Sequence, residues 1–213
     1  MGASKQEEYK EQYKANSTPW DTGRPDFNLV DIVNKRPIEK CKALEVGCGF
    51  GHNCIWLARQ KFLVTGVDVS EIALEKAKEN ALRNSVSCTF LLLDIFEKDI
   101  PGLPFHFIFD RGCFHSYDSD HDRKQFAERA AYHLDEAGLW FTIVGSTDEP
   151  PGSFGPPRRS ARDVVVAVEP FFEILSLTAS HFESNRPNPP RAWACLMKKK
   201  VGLIHSEGRQ RTN

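Results

Sequence analysis

An apolar run, Ala43 to Val46, is broken by three glycines at alternate positions, Gly47, Gly49 and Gly51. His52-Asn53-Cys54-Ile55-Trp56-Leu57-Ala58 then resumes at helical spacing. A short apolar run without polar alternation reads as a strand buried on both faces of a parallel sheet. Strand, glycine turn and helix in immediate succession confine the chain to an open α/β sheet, with the turn at the carboxyl end of the strand, where such sheets hold their ligands. Glycine serves there because a Cβ would hold a ligand off the backbone and would disfavour φ > 0.

Two further strands end in acids. Leu63-Val64-Thr65-Gly66-Val67-Asp68 places Asp68 21 positions after Gly47 (68 − 47), where a carboxylate takes two ribose hydroxyls. Cys88 to Leu93 ends at Asp94. Turn and acids together specify a nucleoside cofactor. The dinucleotide fingerprint G-x-G-x-x-G would need its third glycine where His52 stands, so an NAD-dependent oxidoreductase is the third-ranked reading. An acid, Glu45, also precedes the first glycine by two residues.

Glu45-x-Gly47-x-Gly49-x-Gly51 resembles motif I of the class I S-adenosylmethionine (SAM)-dependent methyltransferases. That family binds no pyrophosphate and does not require the tight phosphate turn. The resemblance implies an α/β fold with a doubly wound, mostly parallel seven-stranded sheet and an antiparallel edge strand. It implies SAM as cofactor, S-adenosylhomocysteine as product and methyl transfer as the reaction. The cofactor-binding residues it carries over are Trp20, Glu45, Gly47, Cys48, Gly49, Gly51, Asp68, Val69, Asp94, Ile95 and Asp110. Among them Glu45 and the turn serve the amino acid end, Asp68 the ribose and Asp94 the adenine amino group.

Trp20-Asp21-x-Gly23-Arg24-Pro25, Phe109-Asp110-Arg111-Gly112-Cys113-Phe114-His115, Pro156-Pro157-Arg158-Arg159-Ser160 and Arg191-Ala192-Trp193-Ala194 narrow the resemblance. Together they are similar to the thiopurine S-methyltransferase and tellurite-resistance methyltransferase group, from about Tyr13 to Lys198. The implied acceptor is a small molecule with a soft sulfur, selenium or tellurium nucleophile. A SAM-binding sensor or subunit without catalysis is the alternative.

Trp20 reads as a lid whose ring shields the sulfonium or as an anchor for the N-terminal arm. Arg111 and His115, just past a strand end, are the candidate catalytic residues. Arg111 would hold an anionic substrate or pair with Asp110, and His115 would accept a proton from a thiol or selenol. A structural ion pair and a satisfied loop histidine are the plain alternatives. Arg24, Arg158 and Arg159 are candidate substrate-binding residues, since guanidinium groups suit oxyanions or nucleobase edges and the cations at 158 and 159 oppose the dipole of the helix they precede; Phe154 is a fourth, expected to line an apolar pocket when the long loop closes. His52 faces the methyl donor or is helix surface. Asp118-Ser119-Asp120-His121-Asp122 looks like a metal cluster, but acids at a helix start serve capping and dipole, and no metal is expected.

The 213 residues suit one α/β domain, and a net charge of −1 gives no general pull toward nucleic acid or anionic membrane. The six cysteines form no C-x-x-C pair, and they read as free thiols in a reducing compartment. The charged N-terminus lacks an apolar signal core and no run is long enough to span a bilayer, so a cytoplasmic location is expected; oligomeric state is open. The expected divisions are 1–38 as an N-terminal arm and lid, 39–198 as the SAM-binding domain and 199–213 as a basic tail that frays. Expected elements include a helix from Ser70 to about Arg83, a helix from Asp120 or His121 to Leu134 with Ala137-Gly138 as its end signal, a strand Leu139 to Val144, a helix Ala161 to Val168 capped by Ser160, and a final strand pair.

Overall fold

A computed structural model describes residues 3–35, 38–150 and 155–202. Two helices, α1 (Ala3–Lys14) and α2 (Phe27–Lys35), precede the first strand, β1 (Lys42–Val46). The order then runs α3 (His52–Arg59), β2 (Leu63–Asp68), α4 (Glu71–Arg83), β3 (Thr89–Leu92) and β4 (Phe105–Arg111). A 3-10 turn (Phe114–Ser116), α5 (Asp120–His133), β5 (Leu134–Gly145), α6 (Ala161–Val168), β6 (Phe172–His181) and β7 (Arg191–Lys199) follow. The seven strands form one sheet in the order β3-β2-β1-β4-β5-β7-β6. β1 to β5 are parallel, and β7 lies antiparallel between β5 and β6. From β1 the chain runs outward through β2 to β3, then returns to place β4 on the other side of β1. The strand order therefore reverses between β1 and β4, which is where open α/β sheets leave a crevice.

Both faces of the sheet are covered. α2, α3 and α4 pack Leu29, Leu57 and Leu74 against Phe107, Phe109 and Phe141. α5 and α6 pack Phe126, Ala130 and Val164 against Ile108, Trp140 and Val144. Strand alternation does the sorting: on β4, residues 107 and 109 face the first layer and residue 108 the second. This alternation continues to the strand end and decides which side chains enter the crevice.

The helix starts follow their capping residues. Ser70 accepts from Ala73 N at the start of α4, and Ser160 forms a capping box with Asp163 at the start of α6. The helix after the loop ends within one residue of the expected Leu134, but β5 starts there and not at Leu139. α5 ends at His133, and Leu134 is already extended (ψ 145°), pairing with Phe105 of β4. Gly138 therefore lies within β5 instead of ending the helix. Burial of Leu134 beside β4 outweighs the local C-cap signal of Ala137-Gly138. α1, within the expected N-terminal arm, is a polar helix whose Tyr9 and Tyr13 enter the site. Phe154 and residues 203–213 of the tail lie outside the described residues.

Candidate active site

The carboxyl ends of β1, β2 and β4 open into a cavity of about 490 Å³, closed from above by α1, the Pro19–Arg24 segment and the β6–β7 loop. Its floor is the glycine turn. Gly47, Gly49 and Gly51 all take positive φ, 69°, 52° and 78°, which a side chain would strain. The amides of Gly47 and Cys48 both donate to Val67 O, at 2.9 and 3.0 Å, so the turn is tied to the neighbouring strand. A Cβ on Gly49 would stand 3.0 Å from the Tyr13 hydroxyl, so the turn is also held from above by α1.

Asp68 lines the cavity. Its Oδ2 accepts from Gly49 N and its Oδ1 from Ser70 N, both at 2.9 Å. Burial pushes its pKa up while these amides hold it down. Asp94 and Ile95 follow β3 on the same wall, with Cys48 and Val69 beside them. Asp94 Oδ1 accepts from Phe96 N at 2.9 Å, which fixes the bend. Glu45 is buried under the turn, with Oε1 on Asn53 Nδ2 at 2.7 Å and Oε2 on the Cys54 thiol at 2.9 Å. Burial pushes its carboxyl up to about 7.

The opposite wall is assembled from distant segments. Arg111 lies in the first layer of the β4 alternation, with its side chain 13% exposed. Its Nε donates to Asp26 Oδ2 at 2.7 Å, Nη1 to Trp20 O at 3.0 Å and Nη2 to Glu183 O at 2.6 Å. Its guanidinium also lies 5.2 Å from the centre of the Phe182 ring. Arg111 therefore pairs with Asp26, and not with Asp110 as one sequence reading had it. It clamps the N-terminal arm and the β6–β7 loop onto the end of β4. Asp110, one residue back, points to the other face. It is fully buried and accepts from Phe114 N and Trp140 Nε1, each at 2.9 Å. Burial pushes its carboxyl up to about 6. Asp110 does not line the cavity, so its assignment to the cofactor gives way to one of bracing the loop after β4.

His115 does line the cavity. Its Nδ1 accepts the Gly145 amide at 2.9 Å. That bond leaves the ring proton of the neutral imidazole on Nε2, so the expected role as acceptor of a thiol proton does not fit this tautomer. Trp20 packs edge-on between Tyr9 and Tyr13, with ring centres 5.4 and 5.6 Å away, and Tyr13 reaches Phe50 at 5.4 Å. It is at once a roof for the cavity and an anchor of the arm. His52 Nε2 meets Asp21 Oδ1 at 3.1 Å, joining that arm to the start of α3.

The candidate arginines divide. Arg24 sits on the rim, half-exposed, with Nε and Nη2 both on Glu183 Oε1 at 2.9 and 2.6 Å. Arg159 turns away from the cavity to Asp118 Oδ1 at 2.8 Å and Tyr117 O at 2.9 Å. Its substrate role gives way to holding the loop after β4 against α6. Arg158 is also absent from the cavity wall, which is formed there by Gly155, Pro156 and Pro157. The Asp118–Asp122 stretch starts α5, with Ser119 Oγ accepting Asp122 N at 3.0 Å and Asp120 paired with Arg123.

Several site residues escaped sequence reasoning. Tyr9 and Tyr13 are one helical turn apart and share a face, a signal present in the sequence. Asp26 ends its own approach as a turn before α2, with Oδ1 accepting Asn28 N at 2.9 Å. Asn53, Ser116, Tyr117 and Phe182 carried no local signal.

The cavity fits an adenosylmethionine: a left-handed glycine turn that side chains would fill, a carboxylate fixed at the end of β2 and an acid on the wall after β3. A methyltransferase-domain family matches residues 43–138. Thiocyanate methyltransferase 1 of Brassica oleracea is 30% identical over 187 residues, covering 87% of this chain and 78% of that protein. Probable thiol methyltransferase 2 of Arabidopsis thaliana is 30% identical over 151 residues, and the match spans 70% of this chain and 65% of that one. A solved structure described as "Conversion of a Disulfide Bond into a Thioacetal Group during Echinomycin Biosynthesis" superposes with a TM-score of 0.81 at 20% identity, covering 92% of each chain. The chain belongs to the class I SAM-dependent methyltransferases and is an enzyme of that family, with S-adenosylmethionine as its cofactor.

Proposed function

We propose that this enzyme methylates a small soft nucleophile, a thiol or a comparable sulfur, selenium or tellurium centre, taken up as its anion. The observation that carries this reading is the chemistry of the acceptor end of the cavity. Tyr9, Tyr13, Trp20, Ser116, Tyr117 and Phe182 give it rings and neutral hydroxyls. Burial pushes the phenols of Tyr9 and Tyr117 up, and the Cys113 thiol as well. His115 has its acceptor nitrogen engaged by Gly145. The phenols and the thiol gathered there keep their protons, which suits an acceptor that arrives with its own proton already lost. A thiol does so in part near neutral pH; an alcohol does not.

When bound, S-adenosylmethionine supplies a methyl group on a cationic sulfur, and its transfer to an anion removes both charges. The roof of Tyr9, Tyr13 and Trp20 excludes water, and a water-poor pocket favours such a loss of charge. Arg24 and Arg111 are engaged by Glu183 and Asp26, which suits a diffuse anion held by neutral donors better than an oxyanion held in a guanidinium fork. On the cofactor side, Asp68 takes the ribose: it lines the cavity at the end of β2, held in place by the backbone amides it accepts. Asp94 and Ile95 frame the adenine, and Glu45 holds the turn from below through Asn53 and Cys54. Residues 1–38 act as arm and lid over the 39–198 domain. The thiol and thiocyanate methyltransferases among the relatives support the acceptor class.

Calorimetry with SAM against NAD, followed by S-adenosylhomocysteine release with sulfide, thiophenol, thiocyanate and a phenol, tests the reading. The expected result is SAM binding, turnover with the sulfur nucleophiles, and a pH dependence of kcat/KM that follows the pKa of the thiol used. Turnover with the phenol alone would overturn the acceptor class.

A further inference from the structure

One hydrogen bond joins the arm to the floor at the acceptor end. The Tyr9 hydroxyl lies 2.8 Å from Ser116 Oγ, across 107 residues of sequence. Ser116 Oγ donates its own hydrogen to Gly112 O at 2.9 Å. A serine hydroxyl has one hydrogen, so in the Tyr9–Ser116 bond the tyrosine is the donor. Both residues line the cavity. The Tyr9 ring is held independently of this bond by its edge contact with Trp20, at 5.4 Å between centres. Burial keeps the phenol protonated.

We infer that Tyr9 is an acceptor-binding residue whose O–H leaves Ser116 and donates to the anionic atom of the incoming acceptor. The inference rests on the anionic acceptor proposed above. Hydrogen bonds to an ionised acceptor are about twice as strong as neutral ones, so the exchange runs toward the anion. Ser116 loses little, because its own hydrogen remains on Gly112 O. Tyr9 is then the residue through which the arm registers whether the acceptor pocket is filled.

A structural latch and an acceptor donor make opposite demands on the two partners. Steady-state kinetics with thiophenol, and calorimetric titration of thiocyanate into the S-adenosylhomocysteine complex, read both. Tyr9→Phe keeps the ring and is expected to raise KM for thiophenol and Kd for thiocyanate about tenfold, with SAM affinity unchanged. Ser116→Ala removes the competitor for the Tyr9 hydrogen and is expected to lower both constants a few-fold. If the two variants shift them in the same direction, or Tyr9→Phe leaves them unmoved, the bond is a latch only and the inference fails while the acceptor class stands. Wild-type protein that binds SAM yet neither turns over thiophenol nor binds thiocyanate overturns the acceptor class and the role of Tyr9 with it.

Discussion

The two ends of the cavity are built by opposite means. The cofactor end is local and made largely of backbone: residues 45–53 supply the strand end, turn and helix start, and Asp68 and Asp94 sit at the ends of the next two strands. The acceptor end is non-local and made of side chains. Tyr9, Trp20, Asp26, Arg111, Ser116 and Glu183 come from α1, the arm, β4, the loop after it and the β6–β7 loop, and Arg111 ties the arm and the β6–β7 loop to β4. A site divided in this way keeps one cofactor geometry while its acceptor wall can be altered one side chain at a time.

The sharpest way to break the comparison is at the turn. Asp68→Ala removes the acceptor of the Gly49 amide and the proposed ribose ligand together. Two hydrogen bonds to a charged group, at about 1.5–3 kcal/mol each, set the expected loss of SAM affinity at about a hundredfold or more, read by calorimetry. Gly49→Val should act in the same direction, because it strains φ +52° and pushes Tyr13 away. Either variant binding SAM normally would mean that the turn is not the cofactor cradle.

The clamp comes next. Arg111→Met leaves Asp26 buried without its partner, and losing one half of a buried pair costs about 3–5 kcal/mol. For a chain of this size that is a fall in Tm of roughly 6–20 °C, measured calorimetrically without ligand. A substrate-holding arginine would instead raise KM and leave Tm in place, so the two readings separate cleanly.

A smaller effect belongs to Glu45. Burial raises its folded pKa from 4.5 to about 7, so between those values the folded state holds a proton that the unfolded state has released. Its stabilising contribution is full below about pH 4.5 and lost as pH rises through about 7, a change on the order of 3 kcal/mol. Tm against pH should fall less steeply across this window in Glu45→Gln than in the wild type; equal slopes would show that Glu45 does not titrate there. The least effect is expected at the rim. Arg24→Ala breaks a half-exposed pair with Glu183 worth less than about 1 kcal/mol, and Tm should stay within a few degrees with SAM affinity unchanged.

The same contrast explains what the sequence made legible. The glycine turn, the acids after β2 and β3, the Ser70 and Ser160 caps and the strand–helix alternation are all signals carried within a dozen residues, and they correspond to the elements observed. Arg111 and Asp110 show where such reading stops. Their position at a strand end was legible, but which of two adjacent side chains enters the crevice depends on the pleat of β4 against both layers, and Arg111's partner lies 85 residues away. The Gly138 boundary failed for a related reason: pairing of Leu134 with β4 is a tertiary fact. The tautomer of His115 depends on Gly145, 30 residues away at the end of β5.

The reversed strand β7 has a consequence for how the protein is made. It is the last strand among the described residues, yet it occupies an interior position, with hydrogen bonds to β5 on one side and β6 on the other. Until it arrives, β5 and β6 present open edges, the kind of surface that pairs with the wrong strand. The Phe182–Glu183 segment that meets Arg111 is fixed only when that gap is filled. The residues of the cofactor end, 45–94, therefore leave the ribosome before the β6–β7 loop that completes the acceptor wall.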